Sequence, residues 1–384
     1  MRKLFSYILS ACFSLYASGV WAQKKVFSFS GQVNGWSAYN FIKPVRSQWG
    51  MRFIPTFTGG KTWKDNLRLD GELTLNTFGT VDYTSGLQRG NEGRIRPYRA
   101  YLRLSADRFE VRAGLQKINF GSATLLRPLM WFDKMDPRDP LQITDGVYAL
   151  LGRYYFQNNA NAWIWFLYGN PSTKGWETLS TAAKKPEWGG RIQLPVPKGE
   201  LAVSFHHRTP DLKSLAGIPA VIGSGLYAED RLGLDGKWDI GPGVWVECSL
   251  VHSALDSAFF PAWTKLIDLG MDYTFGLGNG LTASTEFFRV GSSAALMRSG
   301  NGTDFSTLSA SYPVGLLYRL SCIVFYDWSD NAWYRFLSLQ RQTDNWNVYL
   351  MGFMNPDQLG LYQSPSGNNL FAGKGMEIML VLNF

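Results

Sequence analysis

Short segments in which apolar and polar residues alternate recur along almost the whole sequence, and they constrain its fold more than any other feature. Successive side chains of a strand point to opposite faces of a sheet, so each segment predicts a strand with one apolar face. Most have about 9–11 residues, the length of a tilted strand that crosses a bilayer. We place strands at about 26–38, 47–58, 66–78, 94–105, 109–118, 146–156, 160–169, 187–195, 199–209, 228–239, 243–253, 264–276, 280–291, 304–312, 316–327, 332–343, 346–354 and 374–384.

The segments between these strands are alternately short and long. The longer gaps lie at 79–93, 119–145, 170–186, 210–227, 292–303 and 355–373. Outer-membrane barrels have short periplasmic turns at one rim and long extracellular loops at the other. The pattern predicts an all-β, transmembrane antiparallel β-barrel of about eighteen strands with a long third extracellular loop. Because patterns locate strand ends only to within a few residues, sixteen strands is the alternative.

The start of the chain has the pattern of an export signal. Arg2 and Lys3 precede an apolar stretch, and small residues lead up to Ala22. This predicts a signal peptide at 1–22 and a single barrel domain at 23–384. Leu9-Ser10-Ala11-Cys12 resembles a lipobox, which is the less favoured alternative.

No later stretch reaches the ~18 consecutive apolar residues of a membrane helix. Cys248 and Cys322 fall in apolar phase within strands, so we expect free thiols rather than a disulfide.

The last strand carries a resemblance to a known class. The alternating residues Ile378 to Leu382 and the terminal Phe384 resemble the C-terminal signal of Gram-negative outer-membrane barrels. The segment 114–121, followed by Arg127-Pro128 and Asp136-Pro137, is similar to a strand and loop of eighteen-stranded porin-like families, including those related to alginate export. The resemblance implies a pore in a bacterial outer membrane, and it implies that the barrel-assembly machinery recognises the last strand.

Charged residues in the polar phase of the strands are the candidates for a pore lining. They are Arg99, Arg103, Arg112, Arg153, Arg191, Arg208, Arg319, Glu110, Asp272 and Glu286. A water-filled lumen can hold charges that lipid cannot, and rings of charge set ion preference. The excess of arginine in the first half suggests guidance of anions. The alternative is that acids and arginines on adjacent strands pair and brace the wall.

The loop at 119–145 combines charges, prolines and large apolar residues. Leu125, Leu129 and Phe132 provide apolar anchors unlike those of a disordered tract. We expect it to fold inward and narrow the lumen, with its acids facing the arginine-rich wall; the alternative is a loop over the outer mouth. The candidate constriction residues are Arg127, Trp131, Asp133, Asp136, Arg138 and Asp139.

The sequence gives little support to catalysis or cofactor binding. Its three histidines are His206, predicted to point inward, His207, predicted to point outward, and His252. The sequence does not show whether Ser204 or Ser249 lies within hydrogen-bond reach of His206, and it contains no metal or cofactor motif. Tryptophans near strand ends, including Trp36 and Trp176, predict girdles at the membrane surfaces.

The net charge of +8 comes without a basic block and predicts no nucleic-acid partner. We therefore expect a non-enzymatic outer-membrane porin for small polar or anionic solutes, surrounded by lipid and able to form a homotrimer. The alternatives are a channel for export or uptake of an acidic polysaccharide, and a non-conducting barrel that binds glycan or a partner protein at the cell surface.

Overall fold

Alternation of apolar and polar side chains produces one continuous antiparallel sheet that closes on itself. The computed structural model describes residues 27–63, 66–212, 225–255, 261–298, 300–357 and 370–384. Each strand pairs with its neighbours in sequence, and the first strand also pairs with the last. The signal peptide predicted at 1–22 lies outside the described residues.

The described part of the chain contains eighteen strands, which confirms the higher of the two predicted counts. They are β1 Phe27–Asn40, β2 Arg46–Thr62, β3 Arg68–Thr84, β4 Leu87–Ser105, β5 Phe109–Gln116, β6 Val147–Tyr155, β7 Asn161–Leu167, β8 Glu187–Val196, β9 Gly199–Arg208, β10 Glu229–Asp239, β11 Gly243–Ser253, β12 Trp263–Phe275, β13 Leu281–Ser293, β14 Asn301–Val314, β15 Tyr318–Asp327, β16 Ala332–Gln342, β17 Trp346–Met354 and β18 Lys374–Asn383.

The first and last strands close the barrel. Their register runs from Gln32 opposite Asn383 to Asn40 opposite Gly375. Backbone hydrogen bonds join Gly31 and Phe384 in both directions, at N–O distances of 2.9 and 3.1 Å. Closure pairs the strand edges, which would otherwise leave backbone groups unsatisfied in lipid.

The two faces of the wall have opposite chemistry, as the alternation predicts. On β12, Leu269 is 51% exposed on the outside, whereas its neighbour Asp268 is fully buried inside. On β18, Ile378 and Leu380 are exposed, whereas Glu377 is buried. An apolar outer wall around a polar interior is the arrangement of a transmembrane barrel.

The prediction of a long connection at 79–93 is wrong. β3 extends to Thr84 and β4 begins at Leu87, so only Ser85 and Gly86 form the turn. Both turn residues have positive φ, +51° and +80°, as a two-residue hairpin requires. The alternating pattern does not mark these strand ends, because polar residues occupy the positions that are apolar elsewhere in the strands. The connection predicted at 292–303 is also shorter, since β13 ends at Ser293 and β14 begins at Asn301.

The long connection between β5 and β6 is confirmed. Residues 117–146 contain no strand and no helix. Within the described ranges, no helix is long and apolar enough to cross a membrane. Cys248 and Cys322 are free thiols, as predicted.

Candidate functional site

The connection at 117–146 crosses the interior of the barrel. Two carboxylates on the far side hold it, Glu247 on β11 and Glu286 on β13. Their side chains are 0% and 1% exposed. Both accept backbone N–H groups of the loop, and a carboxylate makes such bonds stronger than a neutral acceptor does. The loop is therefore fixed to the wall opposite its own strands.

Glu247 gathers two separate parts of the loop. Its Oε2 accepts N–H groups of Ser122 and Ala123 at 2.7 and 2.9 Å, and its Oε1 accepts that of Leu129 at 2.6 Å. Gly121 lies against this carboxylate with φ +100°, and a Cβ there would lie 2.4 Å from Oε2. Only glycine combines that backbone angle with so close an approach.

Glu286 binds three successive amides. Its Oε1 accepts the N–H and the hydroxyl of Thr124 at 2.8 and 2.7 Å and the N–H of Leu125 at 3.0 Å. Its Oε2 accepts the N–H of Leu126 at 2.8 Å. Consecutive N–H groups that converge on one anion form a nest. Glu286, predicted to line a pore, instead anchors the loop.

Apolar side chains fill the space between the loop and the wall. The Trp131 indole donates to Ser249 Oγ at 2.9 Å, and Phe120 stacks on Trp165 with ring centroids 5.6 Å apart. The buried cluster comprises Ile118, Phe120, Leu129, Trp131, Phe132, Val147, Ala149, Leu151, Trp165 and Leu167. Burial of these side chains adds hydrophobic stabilisation to the hydrogen bonds of the two carboxylates.

A second connection, between β7 and β8, packs on the first. Trp176 stacks on Phe288 of β13 at 5.0 Å and donates its indole N–H to the Arg127 carbonyl at 2.8 Å. The girdle prediction is thus wrong for Trp176, because a loop tryptophan can turn inward where a strand tryptophan in the outer phase cannot.

The same connection supplies a buried acid that sequence reasoning missed. Glu177 contacts Arg231 at 2.8 Å and Arg208 at 3.1 Å. Glu229 also binds both arginines. Arg208, predicted to line the pore, is 2% exposed and lies within this network. No spacing in the sequence relates Glu177 to β9 and β10, so the network has no sequence signal.

The other predicted lining residues form three groups. Arg112 and Arg153 reach Glu110 at 3.0 and 3.6 Å, and Arg103 reaches it at 3.7 Å. This group fits the predicted bracing of adjacent strands.

Arg191 and Asp272 are separate from that group. Arg191 pairs with Asp235 at 2.5 Å, and Phe120 of the loop lies over its guanidinium at 5.1 Å. Asp272 pairs with Lys237 at 3.7 Å near the short-turn end of its strand.

Arg99 and Arg319 have no ion-pair partner among the described residues. Arg99 donates to the Thr144 carbonyl at 3.0 Å and so ties down the end of the loop. Arg319 lines an open cavity.

The loop acids do not all face the arginine-rich wall, which corrects that expectation. Asp133 lies 3.5 Å from Arg127, and Asp136 lies 2.6 Å from Arg138, so both pair within the loop. Asp136 also accepts the backbone N–H of Arg138 in an Asx turn, which brings this pair together, whereas Asp133 and Arg127 meet across six residues of the folded loop. Among the described residues, Asp145 is the one loop acid that pairs with a wall arginine, Arg96, at 2.9 Å.

Asp139 remains without a cationic partner among the described residues. Its carboxylate accepts the N–H groups of Leu141 and Ile143 at 2.9 and 3.3 Å. Burial raises the pKa of the Asp139 carboxyl above its ordinary value of 3.8, and these hydrogen bonds and Arg52 oppose the shift. Burial also lowers the pKa of Lys117 at the start of the loop, against the attraction of Asp133.

Strand β2 borders one cavity beside the loop and another at the short-turn end of the barrel. The loop cavity, about 470 Å³, lies between residues 136–142 of the loop and strands β1, β2 and β14 to β18. The end cavity, about 620 Å³, lies at the short-turn ends of β1 to β4. Trp36 lines the loop cavity, so its assignment to a girdle is wrong. Among the described residues, open space therefore persists beside β1, β2 and β14 to β18.

His206 packs among side chains of the loop and the wall. His206 is fully buried and bonds Trp165 and Glu187, each at 3.2 Å. Ser204 receives a hydrogen bond from Arg191, and Ser249 receives one from Trp131. In the part of the chain that the structure describes, neither hydroxyl bonds His206, and no group of three or more His, Cys, Asp or Glu has a metal-holding arrangement.

No protein-family model and no curated protein sequence matches the chain. Solved structures do match its fold. OccAB4 of Acinetobacter baumannii has a TM-score of 0.56 at 8% identity, with 94% of this chain and 98% of that chain covered. OmpF of Salmonella typhi has a TM-score of 0.51 at 11% identity, with 93% of this chain and 97% of that chain covered. The fold is that of a porin-like outer-membrane barrel.

Wzi of Escherichia coli, an outer-membrane protein described as a carbohydrate-binding β-barrel, is also similar. Its TM-score is 0.55 at 11% identity, with 94% of this chain and 84% of that chain covered. Identities this low show a shared fold and no more. The closed barrel and its apolar outer wall place the porin-like chain in a bacterial outer membrane.

Proposed function

We propose that this chain is a passive channel for small polar solutes, with a mild preference for anions, in which residues 119–145 narrow the passage. The observation that carries the proposal is the one-sided docking of the loop. Glu247 and Glu286 hold it against β11 and β13, while open space remains along β1, β2 and β14 to β18. In this arrangement the solute passes between the loop and that side of the wall.

The charges along the remaining space support the anion preference. Lys61, Arg68 and Arg103 line the end cavity against Asp70 and Glu72. Arg112 and Arg153 adjoin this wall and share the single acid Glu110. A local basic excess raises the concentration of anions in a narrow, water-filled space.

The roles of the predicted residues divide accordingly. Arg99, Arg103, Arg112, Arg153 and Arg319 belong to the passage. Arg138 and Asp139 project from the loop into the loop cavity and form the constriction, and Asp136 holds Arg138 in place. Arg127, Trp131 and Asp133 are buried, and they shape the loop without touching the solute.

A glycan-binding barrel is the second candidate. The observation in its favour is the aromatic lining of the loop cavity, which includes Trp36, Phe336 and Tyr349. Aromatic faces of this kind can stack on sugar rings. A channel for an acidic polysaccharide would need a wider space than the loop leaves, so release of the loop is a condition of that alternative.

Two assembly partners belong to the proposal. The C-terminal strand ends in Phe384, whose ring lies 5.6 Å from that of Phe29, and we propose it as the segment that the barrel-assembly machinery recognises. A homotrimer is proposed because outer-membrane proteins of this fold are found as trimers, as in OmpT of Vibrio cholerae.

Single-channel recording in planar bilayers tests the function. The proposal predicts steady, ohmic steps and a chloride-to-potassium permeability ratio above one. Arg103→Gln should lower that ratio, whereas Arg341→Gln, a matched change on the outer phase of β16, should leave it unchanged. Absence of steps from correctly folded protein would refute the channel and favour the glycan-binding barrel.

A further inference from the structure

We infer that the loop cavity selects small zwitterions, solutes that carry an ammonium group and a carboxylate on one compact skeleton. The inference rests on the proposed function and names the solute class that the narrow part of the passage accepts best. It arises from charged groups of both signs that border this cavity without partners.

Glu377 is the first of these groups. It lies on the inner face of β18, is 5% exposed and lines the loop cavity. No described residue gives it a hydrogen bond or an ion pair. Its neighbours across the seam are Ala38 and, one strand further, Gln48, neither of which carries a positive charge. A buried carboxylate is costly unless a cation or a donor satisfies it.

Arg52 is the second group. Its guanidinium lies over the rings of Trp36 and Phe78, at 5.3 and 5.7 Å from their centroids. Its buried Nε has no hydrogen-bond partner, and no carboxylate in the described residues comes within ion-pair distance. Aromatic faces hold and orient the guanidinium while leaving its donors available.

The unpaired charges are separated along the cavity. Ala38 on β1 lies opposite Glu377 on one side and Gln48 on the other, so Gln48 and Glu377 are at the same height in the wall. Arg52 lies four residues from Gln48 on β2, a distance of about 13 Å at ~3.3 Å per residue. Long side chains shorten that gap. Asp139, held by the loop, attracts Arg52 and repels the carboxylate of Glu377. The wall therefore presents a negative end at Glu377 and a positive end at Arg52.

A zwitterion satisfies both ends at once. Its ammonium group compensates Glu377 and Asp139, and its carboxylate accepts from Arg52 or from Arg319. A simple anion would be repelled by the unpaired Glu377, and a simple cation would be repelled by Arg52. A volume of about 470 Å³ admits an amino acid or a short peptide together with water.

Three solutes of equal size separate these possibilities: alanine, a zwitterion; lactate, an anion; and lactamide, which is neutral. Calorimetric titration of the detergent-purified full chain should show alanine binding more tightly than either of the others. Glu377→Gln and Arg52→Gln should each weaken alanine binding about tenfold, equivalent to ~1.4 kcal/mol. Glu377→Gln should also reverse the order, so that lactate binds better than alanine. The control Arg341→Gln, a matched change on the outer phase of β16 and away from the cavity, should change nothing.

Osmotic swelling of proteoliposomes with lactamide reads the channel independently. If lactamide enters but alanine binding is absent or unaffected by Glu377→Gln, the zwitterion site is refuted and the channel stands. If lactamide does not enter but alanine binds and the binding depends on Glu377, the channel is refuted and the site stands. If the Glu377→Gln protein loses its barrel structure, seen as the loss of heat-modifiable migration on a gel, the same test is made with Arg52→Gln.

Discussion

Replacing Glu286 with glutamine should release the anchored part of the loop without disturbing the barrel. Glutamine has the same shape and keeps one acceptor oxygen, but its NH₂ group cannot accept. If the remaining oxygen serves Thr124 and Leu125, the amide of Leu126, now at 2.8 Å from Oε2, loses its acceptor. Because Glu286 is 1% exposed, water cannot replace that oxygen while the loop stays docked.

The magnitude follows from these contacts. Loss of one charge-assisted bond costs roughly 1.5–3 kcal/mol, and an orphaned buried donor adds about 1–3 kcal/mol. We take ~3 kcal/mol as the loss in local docking free energy, equivalent to a roughly hundredfold rise in the open population. Hydrogen exchange of the Leu126 amide reports that population directly, because local opening governs its protection.

The expected result is a roughly hundredfold loss of protection at residues 124–126, with unchanged protection in β13 and β14. Glu200→Gln, an exposed acid near a short turn, is the matched control and should have no effect on the loop. Unchanged protection at 124–126 in a folded Glu286→Gln protein would show that the carboxylate does not anchor the loop, and the account of its path would fail.

Three further predictions concern the passage and its assembly. Deleting residues 125–140 should raise single-channel conductance, since it removes the part of the loop that borders the loop cavity; equal conductance in a barrel that still shows β circular dichroism would contradict the constriction. Burial raises the pKa of Asp139, so the cavity should lose a negative charge at a pH above 3.8 as the solution is acidified; the chloride-to-potassium permeability ratio should rise there, and Asp139→Asn should show the higher ratio throughout. Removal of Phe384 deletes two backbone hydrogen bonds to Gly31 and two ring contacts of about 0.5–1.5 kcal/mol each, and it should lower the yield of folded barrel in outer-membrane fractions more than Asn383→Ala does.

The wall was predictable because a bilayer imposes a strict rule on its strands. Leu269 and Asp268 must lie on opposite faces, and this period of two is visible in the sequence. Where strands lie beyond the apolar phase, the rule weakens. The ends of β3 and β4 therefore looked like a loop, although only Ser85 and Gly86 form the turn.

The site was predictable only in part. Glu286 and Arg208 could be identified as inward-facing, but their partners are loop backbone and a loop acid distant in sequence. Glu177 had no periodic neighbour to mark it, and Trp176 had no strand phase to show that it turns inward. The docking of a long loop depends on which wall lies opposite after closure, and no local pattern encodes that distance.

The most direct test asks which side of the barrel carries the current. In a background with Cys12, Cys248 and Cys322 changed to serine, single cysteines replace Ser338, which lines the loop cavity, or Ser204, which is 1% exposed on β9 where the loops dock. A charged thiol reagent added during single-channel recording should reduce conductance in steps with the Ser338→Cys protein and leave the Ser204→Cys protein unchanged. The opposite pattern, or no response at Ser338→Cys despite labelling confirmed by mass spectrometry, would contradict a passage beside the loop.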